Sequence, residues 1–509
     1  MAFSRIHRRL TFGVGLVGIL GAAFCGCGGG GGSSTPIITP PPGNFTAPGT
    51  TPFVNTNIGS RAACQANAHQ VGRARWTVLV FINAANNLQP DSLINVAQMA
   101  SVGSNADLNI IVQWKQTSTQ NYFTSVAIGS TPSFVGTRRY RLTKHSQSDI
   151  NRIAPPGIET NAALVGDTTV LDGDRLADPT TNTLTDNAVL TSDMGNYHTL
   201  ANFVQWGAQA YPADHLAVVL WDHGSGALNV DNRSAKRLPF RSVSGVKSTT
   251  RGVSQDVQTG NQIATQEIPL GLANPPQPID ALVVDCSLQA TTEVAYDVRN
   301  SARVFVGSEE SPPGTGYPYD TWLTFLKTSA VASPCDAGQD LVNAMIAKYP
   351  TGTNITQSMT DLSKMDAVAT ALNAFGGSLK TYAGSAATLI KTARQGAQYF
   401  DFPEYKDLYG FADLIRTSAG VPAPLATAAA NVETSLWGSN GAILVASHGN
   451  AKDFSGFSEA LASGLSIFLP GPQTQSSVDN TTGFDPAWNQ LGLAKAAPNW
   501  AAFLQAEIQ

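Results

Sequence analysis

The stretch IDALVVDCSLQATTEVAYDVR, residues 279–299, carries an apolar run, a short polar segment and a helical pattern in direct succession. Residues 279–284 are mostly hydrophobic, which is typical of a strand that is buried on both faces of a parallel sheet. The pattern from Thr291 to Ser301 is that of a helix. A strand followed at once by a helix predicts one unit of an α/β fold, in which helices cover a mainly parallel sheet.

Other apolar runs of similar length recur along the chain and predict further buried strands. They are Thr77–Asn83, Leu108–Trp114, Leu216–Trp221 and Arg303–Val306. Helical patterns lie between them at Asp91–Ala100 and Thr199–Ala210. Residues 320–380 have a mainly helical pattern, and the remainder mixes helices with short strands such as Ala442–Ala446. The sequence therefore predicts a layered α/β core with additions at its C-terminal end.

Reactive side chains follow two of the predicted strands at the point where each strand ends. WDHGSG, residues 221–226, carries His223, and DCS, residues 285–287, follows another apolar run. In open α/β sheets function gathers at the carboxyl ends of strands, and a base beside a nucleophile is the minimum requirement for covalent catalysis. Taken alone, His223 is more typical of a turn, Cys286 of a buried small hydrophobe and Ser287 of a helix N-cap. Their joint occurrence at strand ends favours a catalytic site.

Several stretches have the same order and spacing as the motifs of one peptidase family. They are WTVLVFINAANNL (76–88), TLANFVQWGAQAYPADHLAVVLWDHGSG (199–226), IDALVVDCSLQATTEVAYDVR (279–299), VGSEESPPGTGYPYD (306–320), DLYGFADL (407–414) and SGLSIFLP (463–470). No single stretch is decisive, but their joint order is highly specific. Over about residues 76–505 the chain resembles the clostripain family of cysteine peptidases.

The resemblance implies a fold and an activity. The family has a caspase-like fold, a three-layer α/β sandwich whose mainly parallel central sheet lies between helices, with a catalytic histidine and cysteine at adjacent strand ends. Its members are endopeptidases that usually cut after Arg or Lys, so the implied partner is a peptide or protein substrate. His223 matches the family's catalytic histidine in its His-Gly motif. Nothing in the sequence requires a cofactor; calcium activates some relatives, but no loop of regularly spaced carboxylates is present to hold it.

The nucleophile position departs from the family pattern. The motif Glu293–Tyr296 sets an ungapped register in which Ser287 takes the place of the catalytic cysteine. In the same register Asp285 takes the place of an acid that lines the family's pocket for basic side chains. Cys286 stands one residue too early, and because neighbouring residues of an extended chain face opposite ways, its use would require a one-residue slip. The alignment with the family motif thus favours Ser287 as the nucleophile, whereas the family's thiol chemistry favours Cys286. Both remain candidates.

Three acidic positions of the family also differ here. Ala85, Gln98 and Lys115 stand where acidic residues are frequent. A hydroxyl is also a poorer nucleophile than a thiolate unless a base and oxyanion donors are well placed. These departures leave a second hypothesis open, that of a catalytically inactive surface relative that binds peptides or proteins.

The N-terminus has the composition of an export signal. Positive residues precede an apolar run that ends at Phe24, and Cys27 then opens a Gly-rich tract. Residues 1–27 are therefore predicted to be a lipoprotein signal peptide with lipid attachment at Cys27, which anchors the protein to the bacterial cell envelope; failing this, the protein is secreted. Residues 28–74 are predicted to be a tether rich in Gly, Ser, Thr and Pro. The peptidase core follows over 75–320, and a helical and mixed C-terminal region of the same unit over 321–509.

Composition limits the other functions. The formal net charge of −5 leaves no basic excess for binding nucleic acid, and zinc-type Cys/His spacing is absent. Beyond the signal segment no apolar stretch is long enough to span a membrane, so membrane contact is expected only through the lipid anchor. Cys64 and Cys335 are candidates for a disulfide in an oxidising compartment.

Three smaller features carry expectations of their own. Glu309–Glu310 is predicted to be a solvated pair near the cleft, and His448 is predicted to lie in a surface loop. Residues 227–251 hold six basic residues against one acid and predict an exposed loop between the two strand ends. By the family resemblance, such a loop is where the chain cuts itself during maturation.

Overall fold

A computed structural model of the chain describes residues 53–118, 130–161, 163–177, 192–227, 252–329, 331–349, 355–448, 459–471 and 486–507. The predicted signal segment with Cys27, and residues 228–251 of the predicted basic loop 227–251, lie outside these residues. What the sequence predicts for them therefore remains a prediction.

Thirteen strands are formed within the described residues, and nine of them belong to one sheet. The strands are β1 (Phe53–Val54), β2 (Ala74–Ala84), β3 (Leu108–Gln116), β4 (Gly136–Arg141), β5 (Ala213–Trp221), β6 (Gly252–Asp256), β7 (Asn261–Ala264), β8 (Ile279–Asp285), β9 (Ala302–Gly307), β10 (Thr356–Asp361), β11 (Tyr405–Asp407), β12 (Ile443–His448) and β13 (Ser466–Phe468). The large sheet has the order β1-β12-β10-β9-β8-β5-β2-β3-β4. Its five central strands, from β9 to β3, run parallel, whereas the strands at both edges are antiparallel to their neighbours. The predicted parallel sheet is confirmed at its centre, where each of the apolar runs forms a strand.

Helices cover both faces of this sheet. They are α1 (Gln89–Val102), α2 (Gln147–Ile153), α3 (Tyr197–Ala210), α4 (Ile268–Gly271), α5 (Thr292–Asp297), α6 (Tyr319–Thr328), α7 (Pro334–Lys348), α8 (Met365–Tyr382), α9 (Ala387–Gly396), α10 (Leu408–Thr417), α11 (Ala423–Trp437), α12 (Gly492–Ala496) and α13 (Pro498–Glu507). Side chains of α1, α6 and α7 share an apolar core with one face of the sheet, and those of α3, α5, α8 and α10 share a second core with the other face. The result is the expected three-layer α/β sandwich. Among these helices, none has both the length and the apolar character that crossing a bilayer requires.

Strand β8 illustrates why the central runs are continuously apolar. Leu282 and Val284 belong to one core, while Ala281 and Val283 belong to the other. Successive side chains of a strand face opposite sides of the sheet, and helices cover both sides here. Every residue of β8 is buried, so neither face of the strand is left for solvent.

Residues 53–64, which lie within the predicted tether, pack against the sheet. β1 pairs with β12 at the sheet edge, Arg61 forms a buried ion pair with Asp361 at 3.3 Å, and Cys64 forms a disulfide with Cys335 of α7. Folded structure therefore begins earlier than the sequence predicts, and the boundaries predicted for the other regions remain predictions. The reason is that partners far along the chain hold this segment, and local composition does not reveal such partners.

Candidate active site

Two neighbouring strands of the sheet end side by side where the sequence carries its reactive residues. β5 and β8 are adjacent and parallel, and Trp221 lies opposite Asp285 at their carboxyl ends. The contact continues one step further, because the amide of Asp222 donates to the carbonyl of Asp285 at 3.4 Å. The segments that carry His223 and Ser287 therefore leave the same edge of the sheet.

Glycine allows these two segments to approach each other closely. A Cβ atom at Gly224 would lie 2.4 Å from the carbonyl oxygen of Ser287 and 2.9 Å from the Cβ of Cys286. Real Cβ atoms do not come so close to other atoms, so a larger residue would displace the Ser287 segment. The His-Gly pair thus has a steric reason: the glycine after His223 lets the Ser287 segment lie against the histidine segment.

Ser287 lies at a sharp change of backbone direction. Leu288 has φ 61°, a left-handed conformation that is uncommon for any residue other than glycine. The turn is held from two sides, since the amide of Leu288 donates to the carbonyl of Glu310 at 3.3 Å and Nε2 of Gln289 donates to the carbonyl of Ser287 at 3.2 Å. The hydroxyl of Ser287 is buried and has no hydrogen-bond partner among the described residues. Buried polar groups without partners and strained turns are both enriched at functional sites.

The thiol of Cys286 lies in the apolar core. Cys286 is fully buried among side chains that pack with α3 and α5, and its Sγ donates to the carbonyl of Leu220 at 3.5 Å. It shares this core with Val284, which lies two residues earlier, near the end of β8. The side chain of Cys286 therefore faces the same side of the sheet as that of Val284, as the alternation of side chains along a strand predicts. The catalytic roles considered for Ser287 and Cys286 remain predictions.

The carboxylate of Asp285 is buried on the opposite face of the sheet, beside two tyrosines of the core that includes α1, α6 and α7. Its Oδ2 accepts hydrogen bonds from the amide of Tyr317 at 3.2 Å and from the hydroxyl of Tyr319 at 3.0 Å. Burial, and then the charge of Asp285, raise the pKa of Tyr319 well above its usual value, so this tyrosine stays a hydrogen-bond donor. A Cβ atom at Gly316 would lie 2.8 Å from the same Oδ2. Glycine is therefore required where the backbone passes this carboxylate.

His223 has a partner that the sequence does not single out. Nε2 of its imidazole lies 2.8 Å from Oδ1 of Asn87, in the loop between β2 and α1. The neighbouring Asn86 is buried, and its amide donates to Oδ1 of Asp222 at 2.6 Å. Burial raises the pKa of Asp222 well above its usual value. Two asparagines after a strand are typical of a turn, so their pattern alone predicts no role at the site.

Lys115, one of the departures from the family pattern, has a structural partner. Its ammonium lies 2.6 Å from Oδ2 of Asp256, and both side chains are fully buried. Nζ of Lys115 also donates to the carbonyl of Ser192 at 2.8 Å. The pair attaches the β6–β7 hairpin to the end of β3, and Val253 of that hairpin pairs with Gly224. The hairpin therefore reaches the histidine segment.

Glu309 and Glu310, which follow β9, are buried, so the prediction of a solvated pair is wrong. Oε2 of Glu309 accepts from the amide of Gly464 at 2.8 Å, and Oε1 of Glu310 accepts from the amide of Asp401 at 3.2 Å. Burial raises the pKa of both carboxyls well above the usual value, and the charges of Asp407 and Asp401 raise them further. Segments from the C-terminal part of the chain cover this pair, which a local run of charges does not indicate.

His448 is buried at the end of β12, so its predicted position in a surface loop is also wrong. It lies opposite Thr356 of β10. The strand extends beyond the predicted Ala446 because its backbone pairing with β10 continues through the polar Ser447.

No metal centre accompanies these residues in the described part of the chain. The His, Cys, Asp and Glu side chains there form no group of three or more that could hold a metal ion. Calcium therefore remains an implication of the family resemblance alone.

Comparisons with known proteins agree with this fold. The profile of the clostripain family matches residues 80–490. A secreted C11 cysteine protease from Bacteroides thetaiotaomicron, solved with an irreversible peptide inhibitor, is 16% identical with a TM-score of 0.50, over 84% of this chain and 100% of that chain. An inactive zymogen C11 protease from Parabacteroides distasonis is 15% identical with a TM-score of 0.52, over 84% and 98%. The secreted B. thetaiotaomicron protease iotapain is 14% identical with a TM-score of 0.51, over 85% and 99%. No curated protein matches the chain significantly in sequence.

At such low identities the solved structures show the fold, which is the expected caspase-like α/β sandwich. The profile match shows the family, because it covers most of the chain. The chain belongs to the clostripain family of cysteine peptidases.

Proposed function

We propose that this chain is a clostripain-type endopeptidase that hydrolyses peptide bonds after Arg or Lys, with Ser287 as nucleophile and His223 as general base. One observation carries the proposal beyond family membership. The backbone of Ser287 lies against Gly224, and its buried hydroxyl has no hydrogen-bond partner among the described residues. The thiol of Cys286, by contrast, lies in the apolar core and donates to Leu220. A nucleophile has to be within reach of its base and its substrate, which favours Ser287.

The proposed reaction passes through an acyl-enzyme. The Ser287 oxygen forms a bond to the carbonyl carbon of the scissile peptide while His223 accepts the hydroxyl proton. The tetrahedral intermediate then expels the amine, which takes the proton from the histidine and leaves the acyl group on Ser287. A water molecule, deprotonated by His223, attacks that acyl group, and the bond to Ser287 then breaks as its oxygen takes the proton from His223 and the new carboxyl end leaves. Because a hydroxyl is a weak nucleophile, the rate depends on how well the histidine is oriented.

Asp285 is the residue that we expect to select a basic side chain. A carboxylate in a site of low dielectric attracts a guanidinium or ammonium group strongly, because little solvent screens the charges. The hydrogen bonds from Tyr317 and Tyr319 hold one of its oxygens in a fixed orientation. The position of Asp285 at the same strand end as Ser287 supports this role.

Fluorogenic peptides ending in Arg or Lys test the proposal. The wild-type protein is expected to cleave them, and Ser287→Ala and His223→Ala are expected to abolish cleavage. Cys286→Ala, which only shortens a core side chain, should retain activity, and Asp285→Asn should lower kcat/KM for both peptides. A folded but inactive Cys286→Ala together with an active Ser287→Ala would make the thiol the nucleophile and would reject the assignment to Ser287.

A serine at the family's cysteine position also favours a second function, that of a catalytically inactive surface relative that binds peptides or proteins. Such a protein would cleave neither peptide in any variant. It would still bind the Arg and Lys peptides, and Asp285→Asn would weaken that binding. Binding without cleavage by the wild type therefore selects this alternative.

We also propose that the protein is exported and held at the cell envelope by a lipid on Cys27. The disulfide between Cys64 and Cys335 supports export, because disulfides persist in oxidising compartments, and one structure of similar fold is that of a secreted protease. Cys27→Ser should release the protein from membranes, whereas Cys25→Ser should not. Unchanged fractionation of Cys27→Ser would contradict the anchor.

A further inference from the structure

Two consecutive side-chain pairs join the loop after β2 to the segment after β5. The amide of Asn86 lies 2.6 Å from Oδ1 of Asp222, and one residue further along both segments Oδ1 of Asn87 lies 2.8 Å from Nε2 of His223. β2 and β5 are adjacent and parallel, so both segments leave the same edge of the sheet. The contact to His223 is therefore one of two successive links between two strand ends.

The first of these links fixes the position of the loop. Asn86 is buried; its amide also donates to the carbonyl of Gln255 at 3.1 Å, and its Oδ1 accepts from the amide of Leu88 at 2.9 Å. Leu88 is buried as well and immediately precedes α1. Asn87 thus stands between two residues that the interior of the protein holds in place. Its backbone is fixed on both sides although its own side chain is exposed.

We infer that Asn87 is a positioning residue that sets the tautomer of His223. An amide oxygen only accepts hydrogen bonds, so the 2.8 Å contact requires the proton on Nε2. A neutral imidazole carries a single N–H, so Nδ1 keeps its lone pair and is the nitrogen that accepts the proton of Ser287. When the imidazole becomes positively charged, Nε2–H still donates to Asn87, whose carbonyl dipole stabilises that charge.

This role rests on the proposed function, because only a general base depends on which nitrogen carries the proton. In Ser-His-Asp enzymes, loss of the group that orients the histidine lowers kcat by about 10⁴-fold. Asn87 is neutral and exposed, so we expect a smaller effect, roughly 10- to 1,000-fold. An effect of that size would still separate a positioning residue from an ordinary loop residue.

Nitrogen NMR of the histidine rings measures the tautomer without any need for activity. Full-length protein labelled with ¹⁵N in its imidazoles is compared with Asn87→Ala and Asn87→Asp, and His223→Gln assigns the resonances. Asn151→Ala, on an exposed position of α2, is the matched control. We expect neutral His223 to carry its proton on Nε2 in the wild type and in the control. Asn87→Ala should lose this preference, and Asn87→Asp, which keeps an acceptor oxygen, should retain it.

Cleavage of an Arg peptide provides the second readout. Asn87→Ala should lower kcat by roughly 10- to 1,000-fold and change KM by less than about threefold, because the lost interaction acts in the transition state. Asn87→Asp should restore most of the rate. A wild-type His223 with its proton on Nδ1, or a preference for Nε2 that survives Asn87→Ala, would overturn the inference. If no variant cleaves peptide, the proposed function fails, and the tautomer comparison alone then decides the role of Asn87.

Discussion

At position 287 this chain has a serine where the family pattern has a cysteine, so an oxygen atom takes the place of sulfur. In a Cys286→Ala background, Ser287→Cys should cleave Arg peptides at least about tenfold faster than its parent, because a thiolate is a much stronger nucleophile than a hydroxyl. The new thiol should also react with iodoacetamide and lose activity. The wild-type enzyme should resist the reagent, because Cys286 is buried. Initial rates before and after alkylation measure both effects.

Ser287→Ala in the same Cys286→Ala background is the control, since it has neither nucleophile. A Ser287→Cys protein that cleaves no faster than its parent and is indifferent to alkylation would show that residue 287 does not contact the reacting bond. The assignment of the nucleophile by register would then be wrong.

Glu293 links burial to the pH dependence of stability. Its Oε1 accepts from the amide of Phe468 at 2.9 Å and from Nε1 of Trp488 at 3.0 Å, and the side chain is fully buried. Burial raises the pKa of Glu293 from 4.5 to about 7. A group whose folded pKa is raised contributes stability that is fully present below its unfolded pKa and is lost as the pH rises through its folded pKa. For Glu293 this stability is therefore lost in the window from pH 4.5 to about 7.

Glu293→Gln keeps the acceptor oxygen and removes the charge. We expect Glu293 to cost the wild type roughly 3 kcal/mol of unfolding free energy as the pH rises through this window, and Glu293→Gln to avoid that loss. Urea unfolding at several pH values measures the difference. The exposed Glu159→Gln is the control and should follow the wild type. An identical pH dependence in Glu293→Gln would contradict the prediction.

The β6–β7 hairpin is attached to the sheet by the buried pair of Lys115 and Asp256. Lys115→Met leaves the carboxylate buried without its cation, and removing one partner of a buried pair typically costs about 3–5 kcal/mol. We expect that loss in unfolding free energy, measured in urea. Peptide cleavage should fall as well, because Val253 of the hairpin pairs with Gly224 beside the histidine.

Two further variants separate this effect from a general loss of charge. Lys115→Met/Asp256→Asn removes both charges and should recover most of the lost stability. Arg152→Met breaks an exposed pair with Asp167 and should cost less than about 1 kcal/mol. If Lys115→Met were as stable as Arg152→Met, the buried pair would not be what holds the hairpin.

The disulfide between Cys64 and Cys335 joins residues on either side of the basic loop 227–251. If the chain cuts itself in that loop, as the family resemblance implies, its two fragments stay covalently linked. We therefore expect one band on a denaturing gel without reductant and two bands with reductant. Denaturation alone should not separate the fragments.

Cys64→Ser/Cys335→Ser should release two fragments without reductant and should lower the unfolding free energy by about 2–4 kcal/mol. His223→Ala should give a single band under both conditions, because it makes no cut. Wild-type fragments that separate without reductant would contradict the covalent link. A nick that persists in His223→Ala would be the product of another protease.

The central strands and the meeting of two reactive strand ends could be predicted from the sequence by itself. A strand covered by helices on both faces has to be apolar at nearly every position, so β2, β3, β5, β8 and β9 are visible as continuous runs. The strands β1, β4 and β10 could not be predicted in this way. β10, with the sequence TQSMTD, is fully buried although it is mostly polar, and Gln357 and Ser358 donate hydrogen bonds to partners in other segments.

The sequence by itself determined which residues follow each central strand and how they alternate along β8. Only the tertiary structure decided that Glu309 and His448 are buried, that Cys64 reaches Cys335, and that Asn87 contacts His223. Each of these facts depends on segments that are distant in the sequence. Alternation along a strand is a local property of the backbone, whereas burial and hydrogen-bond partners are properties of the assembled chain.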